Sequence, residues 1–423
     1  MVADSTTPVF RWLHMSDLHI TQNDESFIDY IIRGNPVSHD QYEKKGLSGI
    51  LGERGVDCVI STGDFFHRGD LGKVQQEAVQ KTIEKILDLC KIKISTERFC
   101  FCPGNHDLDR NVGETIPDSH HVIRRSDCIK EAANTCNAHL DADDIVKTII
   151  VHYSFEKFYN TLWLDRLKGC QLVKIFGDRQ IICFSPSARD KEFRAEPVFI
   201  GFNTALLAGQ LDDTGKINDN GKLCLPDKES IRQLEGYLTN LKTEGKTIIP
   251  ILFGHHSIVF FNENAKKELI SLIRKENIPI YLCGHSHQLS DVPIDTSYEL
   301  ARTSNPTCLE VIMGGLFYDE EKYNHLSFSV GTISAELQNQ FSFTIDHYMC
   351  LIGKSSDGIG IWMHGQTKWP LDGRYKQIDS SDYKTQYDLT GSTREATTMD
   401  EKNKTNQVRL TIESAIRTID MKG

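Results

Sequence analysis

Five times in this chain an apolar run of strand length stops at a turn built from Gly, Asp, Asn or His: RWLHMSDLH at 11–19, VDCVISTGD at 56–64, RFCFCPGNHD at 98–107, TIIPILFGHH at 247–256 and IPIYLCGHSH at 278–287. Between them lie segments with helical period. KVQQEAVQKTIEKILDLCK sets Val79, Ile83, Ile86, Leu87 and Cys90 on one face, and PDKESIRQLEGYLTNLK offers Asp227 as N-cap with Ile231, Leu234, Leu238 and Leu241 as its apolar stripe. Runs of strand length alternating with amphipathic helices predict an α/β protein, and open α/β sheets carry their functional residues at the carboxyl ends of the strands. The polar residues that close the five runs are therefore expected to meet on one edge.

The pattern loosens over 107–197, where EAANTC, FEKFYNTLWLDRLK and SPSARDKEFRAEP suggest short helices and loops, a place for a lid or insertion. Beyond 306, CLEVIMGG, LSFSVGTIS and FSFTIDHYM alternate as strands of an antiparallel extension. The expected organisation is a main domain over 8–350, a β and loop extension over 351–395, and a polar linker with a short amphipathic terminal segment over 396–423. In that last segment Ile412, Ile416 and Ile419 share a helical face, which can pack back on the core or serve self-association or a protein partner.

With 423 residues, 39% of them hydrophobic, the chain has material for a large core. Its 48 Lys and Arg against 59 Asp and Glu leave a net charge of −11, which gives no whole-chain attraction for nucleic acid or an anionic membrane, although bound cations can reverse the field locally. No secretory signal, transmembrane run or C-x-x-C pair stands out. The twelve cysteines read as reduced, buried thiols, and the expected location is the cytoplasm.

The turns hold Asp17 and His19 in SDLH, Asp64 in TGDFFHR, Asn105 and His106 in GNHD, His255 in FGHHS, and His285 and His287 in GHSH. Any one of them alone is as well explained by a strand-end turn. Together and in this order they resemble the calcineurin-like metallophosphoesterase superfamily, whose pattern is D-x-H, G-D, G-N-H-D/E, H and G-H-x-H, over roughly residues 10–350. The resemblance implies a four-layer α/β/β/α sandwich with two mixed sheets and a dinuclear metal centre. Two cations about 3.5 to 4 Å apart need a bridging anion, and Asp64 is the candidate. By resemblance Asp17, His19 and His287 complete one metal, and Asn105, His255 and His285 the other. These nitrogen and oxygen donors suit Mn, Fe, Zn or Ni, with manganese favoured.

The family's proton donor falls on His106, Asp107 would orient its imidazole, and Arg68 is a candidate phosphate clamp. His256, beside His255, is expected in packing or behind the ligands. The expected activity is hydrolysis of a phosphomonoester or phosphodiester. Two alternatives are an SbcD-type manganese nuclease, suggested by SDLH with GDFFHRGD, and a non-enzymatic partner-binding module, which a complete ligand set disfavours.

Overall fold

The structure, a computed structural model, describes residues 9–20, 41–67, 71–92, 97–108, 172–177, 180–208, 219–287, 289–294, 308–315, 325–335, 341–352 and 360–370, with single positions and short stretches from 126 to 159. All lie in one compact unit, Met1–Leu389. The expected linker and terminal segment over 396–423 lie outside the described residues.

In chain order the elements are β1 (Val9–Met15), α1 (Gln41–Leu51), β2 (Cys58–Ser61), α2 (Lys73–Leu89), β3 (Phe99–Phe101), β4 (Val173–Phe176), β5 (Ile181–Phe184), β6 (Glu196–Phe202), α3 (Lys228–Thr243), β7 (Ile248–Phe253), α4 (Glu263–Glu276), β8 (Ile280–Cys283), β9 (Ser290–Ile294), β10 (Cys308–Ile312), β11 (His325–Ala335), β12 (Phe341–Ile352) and β13 (Gly360–Pro370). They form two mixed sheets. The first has the order β13-β12-β11-β1-β2-β3, parallel from β1 to β3 and antiparallel from β1 outward through β11 to β13. In the second, ordered β4-β5-β6-β7-β8-β10-β9, the parallel strands β6, β7, β8 and β10 are flanked by antiparallel edges.

Alternation along the second sheet shows how the layers are made. Phe199 of β6, Ile249, Ile251 and Phe253 of β7, and Ile280 and Leu282 of β8 join the cluster that also contains Phe10 and Trp12 of β1. Their neighbours Val198, Ile200, Phe202, Leu252, Tyr281 and Cys283 turn the other way, onto Leu234 and Leu238 of α3 and Leu269 and Ile273 of α4. Trp12 meets Phe199 edge-on with ring centroids 6.1 Å apart, which fastens one sheet to the other. Burying each such side chain stabilises the fold by roughly 1.5–3 kcal/mol, so the contact between the sheets is the principal core. Val79, Ile83, Ile86 and Leu87 of α2, with Cys90 at its C-terminal cap, are all buried with the first sheet's core residues, and with α3 and α4 on the second sheet this gives a four-layer α/β/β/α sandwich.

The helices end where their sequences stop them. Asp227 caps α3 by accepting from the Ser230 N–H, and Asn262 caps α4 through the Ala265 N–H. Asn277 closes α4 in the left-handed conformation.

Two expectations need correction. The 107–197 stretch, read as short helices and loops, is helical at the described positions from 126 to 134 and over 155–159 as expected, but it also contains β4 and β5, an antiparallel pair. β4 is an edge strand whose two central residues are exposed, so it lacks the continuous apolar signal of a buried strand. Cys224 is disulfide-bonded, to a partner outside the described residues, whereas Cys58, Cys90, Cys100, Cys102, Cys183, Cys283 and Cys308 are free and buried as expected. Among the described residues no helix is long and apolar enough to cross a membrane.

Candidate metal centre

The turns after β1, β2, β3, β7 and β8 meet at one edge of the sandwich. The turn after β1 runs along the turn after β2, with Asp17 N–H donating to the Gly63 carbonyl at 3.0 Å, His19 N–H to Asp64 at 2.9 Å and Ile20 N–H to Phe65 at 2.9 Å. The two sheets are joined there by His255, whose Nδ1 donates to the Thr62 carbonyl at 2.7 Å, and by His285, whose backbone N–H donates to Asp17 Oδ2 at 3.0 Å. Close approach excludes side chains at two points. A Cβ on Gly104 would lie 2.1 Å from Asp64 Oδ1, and one on Gly284 would lie 1.8 Å from Ser16 Oγ and 2.5 Å from Asp17 Oδ2.

The backbone is strained where the expected site residues stand. Of the seven described non-glycine residues with positive φ, five are Asp17, His19, Asp64, His285 and His287. Each costs of the order of 1 kcal/mol or more, and such conformations persist where the surrounding structure imposes them, as functional sites do.

Two groups of donor atoms share Asp64. Asp17 Oδ1 lies 3.8 Å from His19 Nε2 and 3.6 Å from His287 Nε2, and His19 Nε2 lies 3.6 Å from Asp64 Oδ2. On the other side Asp64 Oδ2 lies 3.3 Å from His255 Nε2, which is 3.0 Å from Asn105 Oδ1 and 3.3 Å from His285 Nδ1; the last two atoms are 2.9 Å apart. Donor atoms about 2.0 to 2.2 Å from a shared cation stand roughly 3 to 3.5 Å from one another, so both groups have nearly the spacing of a coordination shell. Asp17 Oδ1 and Asp64 Oδ2 are buried without a hydrogen-bond partner of good geometry, and imidazole nitrogens face them instead.

The imidazoles are oriented from behind. The Nδ1 of His255 donates to the Thr62 carbonyl and that of His19 lies 3.3 Å from the Phe66 carbonyl, which turns each Nε2 inward. Burial, reinforced by the neighbouring His255, holds His285 down to about 3, and burial holds His19 well below the usual range, so both are neutral, the form that binds a metal. Burial opposes the charged form of His255, but Asp64 outweighs it and raises this imidazole to about 9. In return, and against its own burial, Asp64 is held well below the usual carboxylate range chiefly by His255. The opposite shifts mark Asp64 and His255 as a close pair, an anionic oxygen facing an imidazole nitrogen 3.3 Å away.

His106 is half-buried at the rim, its ring edge-on to His19 with centroids 4.6 Å apart and its backbone N–H donating to Asp64 Oδ1 at 2.7 Å. Asp107 does something other than the expected orientation of that ring. Its Oδ1 accepts from the N–H groups of Phe65 at 2.8 Å and Phe66 at 3.1 Å, and its Oδ2 from Asp64 at 2.9 Å and Gly104 at 2.8 Å. It ties the turn after β2 to the turn after β3. Burial, then repulsion from Asp64, pushes this carboxyl up to about 7. Arg68 lies outside the described residues.

Thr204, at the end of β6, passed unnoticed in the sequence. Its Oγ1 accepts from His255 N–H at 3.0 Å and His256 N–H at 3.2 Å and lies 3.0 Å from His256 Nδ1. His256 is fully buried, with its ring 4.5 Å from that of His285. No local signal marks a threonine at a strand end as the support of a turn fifty residues away. The Tyr281 hydroxyl, donating to the His256 carbonyl, was equally invisible.

Residues 10–289 match the family model described as Calcineurin-like phosphoesterase. Among solved structures the chain is similar to a dimetal phosphatase from Danio rerio, at 11% identity over 84% of this chain and 98% of that one with a TM-score of 0.43. It is also similar to a 5'-nucleotidase from Candida albicans, at 15% identity over 84% of this chain and 52% of that one with a TM-score of 0.37. No curated protein matches.

Proposed function

The chain belongs to the calcineurin-like phosphoesterase family, and we propose that it is a dinuclear metal-dependent hydrolase of phosphomonoesters or phosphodiesters whose two cations share Asp64. The observation that carries this reading is the pair of inward-facing donor groups meeting at Asp64 Oδ2, 3.6 Å from His19 Nε2 on one side and 3.3 Å from His255 Nε2 on the other.

Asp17, His19 and His287 would hold one cation with Asp64, and Asn105, His255 and His285 the other. Bound there, divalent cations supply Lewis acidity toward the phosphoryl oxygens and lower the pKa of the attacking water. The chain's own residues supply the rest. Asp64 Oδ2 offers the negative charge that keeps two cations close, while Oδ1 accepts the His106 N–H and so fixes the donor's backbone to the bridge. The His106 ring, standing over His19 at the rim, delivers a proton to the ester oxygen as the bond to phosphorus breaks. Asp107 acts at one remove by tying down the backbone around Asp64.

The donors are nitrogen and oxygen with no thiolate, which suits manganese, the cation we propose for the first test. Full-length protein reconstituted with manganese and given aryl phosphate monoester, aryl phosphate diester, cyclic nucleotide and single- and double-stranded DNA should bind two metals per chain and hydrolyse at least one ester. Fewer than two metals would overturn the dinuclear reading. Two metals without turnover of any ester would overturn the enzymatic one.

A further inference from the structure

Beside the metal centre the chain exposes apolar surface where a loop is ordinarily polar. The turn that begins at His255 continues into Ser257–Phe261, and its Ile258–Phe260 segment is a single 3-10 turn. Val259 is 56% exposed; the other exposed large apolar side chains among the described residues, Val74 and Ile175, lie on α2 and β4. Phe260, partly exposed, stands perpendicular to the ring of His285 with centroids 4.6 Å apart. His285 turns its Nδ1 inward to Asn105, so Phe260 extends the wall of the site outward from a proposed ligand.

This lip is built to stay in place. The Ile258 N–H donates to Glu310 Oε1 at 2.7 Å, Phe260 N–H to the Ser257 carbonyl at 3.1 Å, and the Tyr281 hydroxyl to the His256 carbonyl just ahead of it. Glu310 is itself buried in β10. A fixed apolar surface bordering a charged centre contributes nothing to the binding of phosphate. Phe260 is packed in part against the core, and what it and Val259 leave in water can gain by covering what the phosphate carries, because apolar surface gains by leaving water.

We infer that Val259 and Phe260 form a contact surface for the organic group of the substrate, and that the preferred substrates are phosphoesters whose alcohol is apolar, alkyl or aryl, next to the ester oxygen. This rests on the phosphoesterase reading above and adds the substrate class to it.

Phosphonates test it without turnover, since their C–P bond is not hydrolysed and they share one head group. Methylphosphonate and hexylphosphonate would be titrated calorimetrically into the full-length manganese-loaded protein and its Val259→Ser and Phe260→Ala variants. Hexylphosphonate should bind the wild type about tenfold tighter or more, as expected when several methylenes are partly covered. Either variant should reduce that ratio to about twofold or less; Val259→Ser, at an exposed position, is the variant that leaves the packing alone. Equal affinity of the wild type for the two phosphonates, or a ratio that survives both substitutions, would overturn the inference while leaving the phosphoesterase reading intact. Failure of the wild type to bind either phosphonate would overturn both.

Discussion

Thr204→Val removes one oxygen and keeps the shape, so its effect can be worked from three contacts. The hydroxyl accepts the backbone N–H groups of His255 at 3.0 Å and His256 at 3.2 Å and lies 3.0 Å from His256 Nδ1. Thr204 is 1% exposed and both histidines are fully buried, so no water can replace the lost oxygen. A buried donor left unpaired costs about 1–3 kcal/mol. Two N–H groups and one ring nitrogen then give about 3 kcal/mol at the low end, the end we expect because one of the bonds is long. Urea unfolding of the metal-free protein should register this loss, while Thr204→Ser, which keeps the oxygen, should stay within about 1 kcal/mol of wild type. The same hydroxyl sets the position of His255, and loss of such a support commonly weakens metal affinity about 10 to 100-fold. Titration should therefore show the second manganese binding more weakly in the valine variant and normally in the serine variant. A valine variant within 1 kcal/mol of wild type would refute the hydrogen-bond argument. One that is destabilised but binds both cations normally would show that Thr204 supports the fold and not the site.

Asp64→Asn keeps the size and removes the shared charge, so elemental analysis should find at most one metal per chain in a protein with unchanged circular dichroism; two metals would dismiss the bridge. His106→Ala should reduce turnover of an alkyl phosphate by about 10² to 10⁴-fold and that of nitrophenyl phosphate far less, with metal content intact. Equal losses on both esters would remove His106 from proton transfer. Asp107→Asn should lower the melting temperature of the manganese-loaded protein, since an amide can accept only part of what the four backbone N–H groups offer. Lost turnover at an unchanged melting temperature would return Asp107 to a role on the His106 ring. A chain ended at Tyr383 keeps every described strand and every proposed ligand, and should still bind two metals.

What could be foreseen from the sequence and what could not divide along a physical line. Metal coordination demands particular atoms, so the proposed ligands Asp17, His19, Asp64, Asn105, His255, His285 and His287 announce themselves by type and by position after apolar runs, and the fold brings all seven to one edge. The strands beneath them were equally legible, because a strand covered on both faces, such as the IIPILF of β7, has no polar residue to blur it. The edge strand β4 is illegible for the converse reason, since its Lys174 and Ile175 face solvent, whereas β5, the fully buried IICF, carries an apolar run only four residues long that a short helix would carry as well. The supports behind the ligands have no signature at all. Thr204, Tyr281 and Glu310 act on backbone groups that any residue would present, and only tertiary structure says whose backbone lies within reach. Asp107 sits between these cases: its place in GNHD marks it as a candidate, yet its two oxygens accept four backbone N–H groups. The left-handed backbone at five of the seven donors belongs with the supports, since nothing in an Asp or a His requires positive φ. It occurs where turns from two sheets converge so closely that a Cβ on Gly104 would strike Asp64 and one on Gly284 would strike Ser16 and Asp17. The seven proposed ligands are brought together only in the folded chain, so cations held there favour it over the unfolded one. Metal addition should therefore stabilise this chain toward urea by more than its loss of conformational freedom costs, and chelation should reverse the gain.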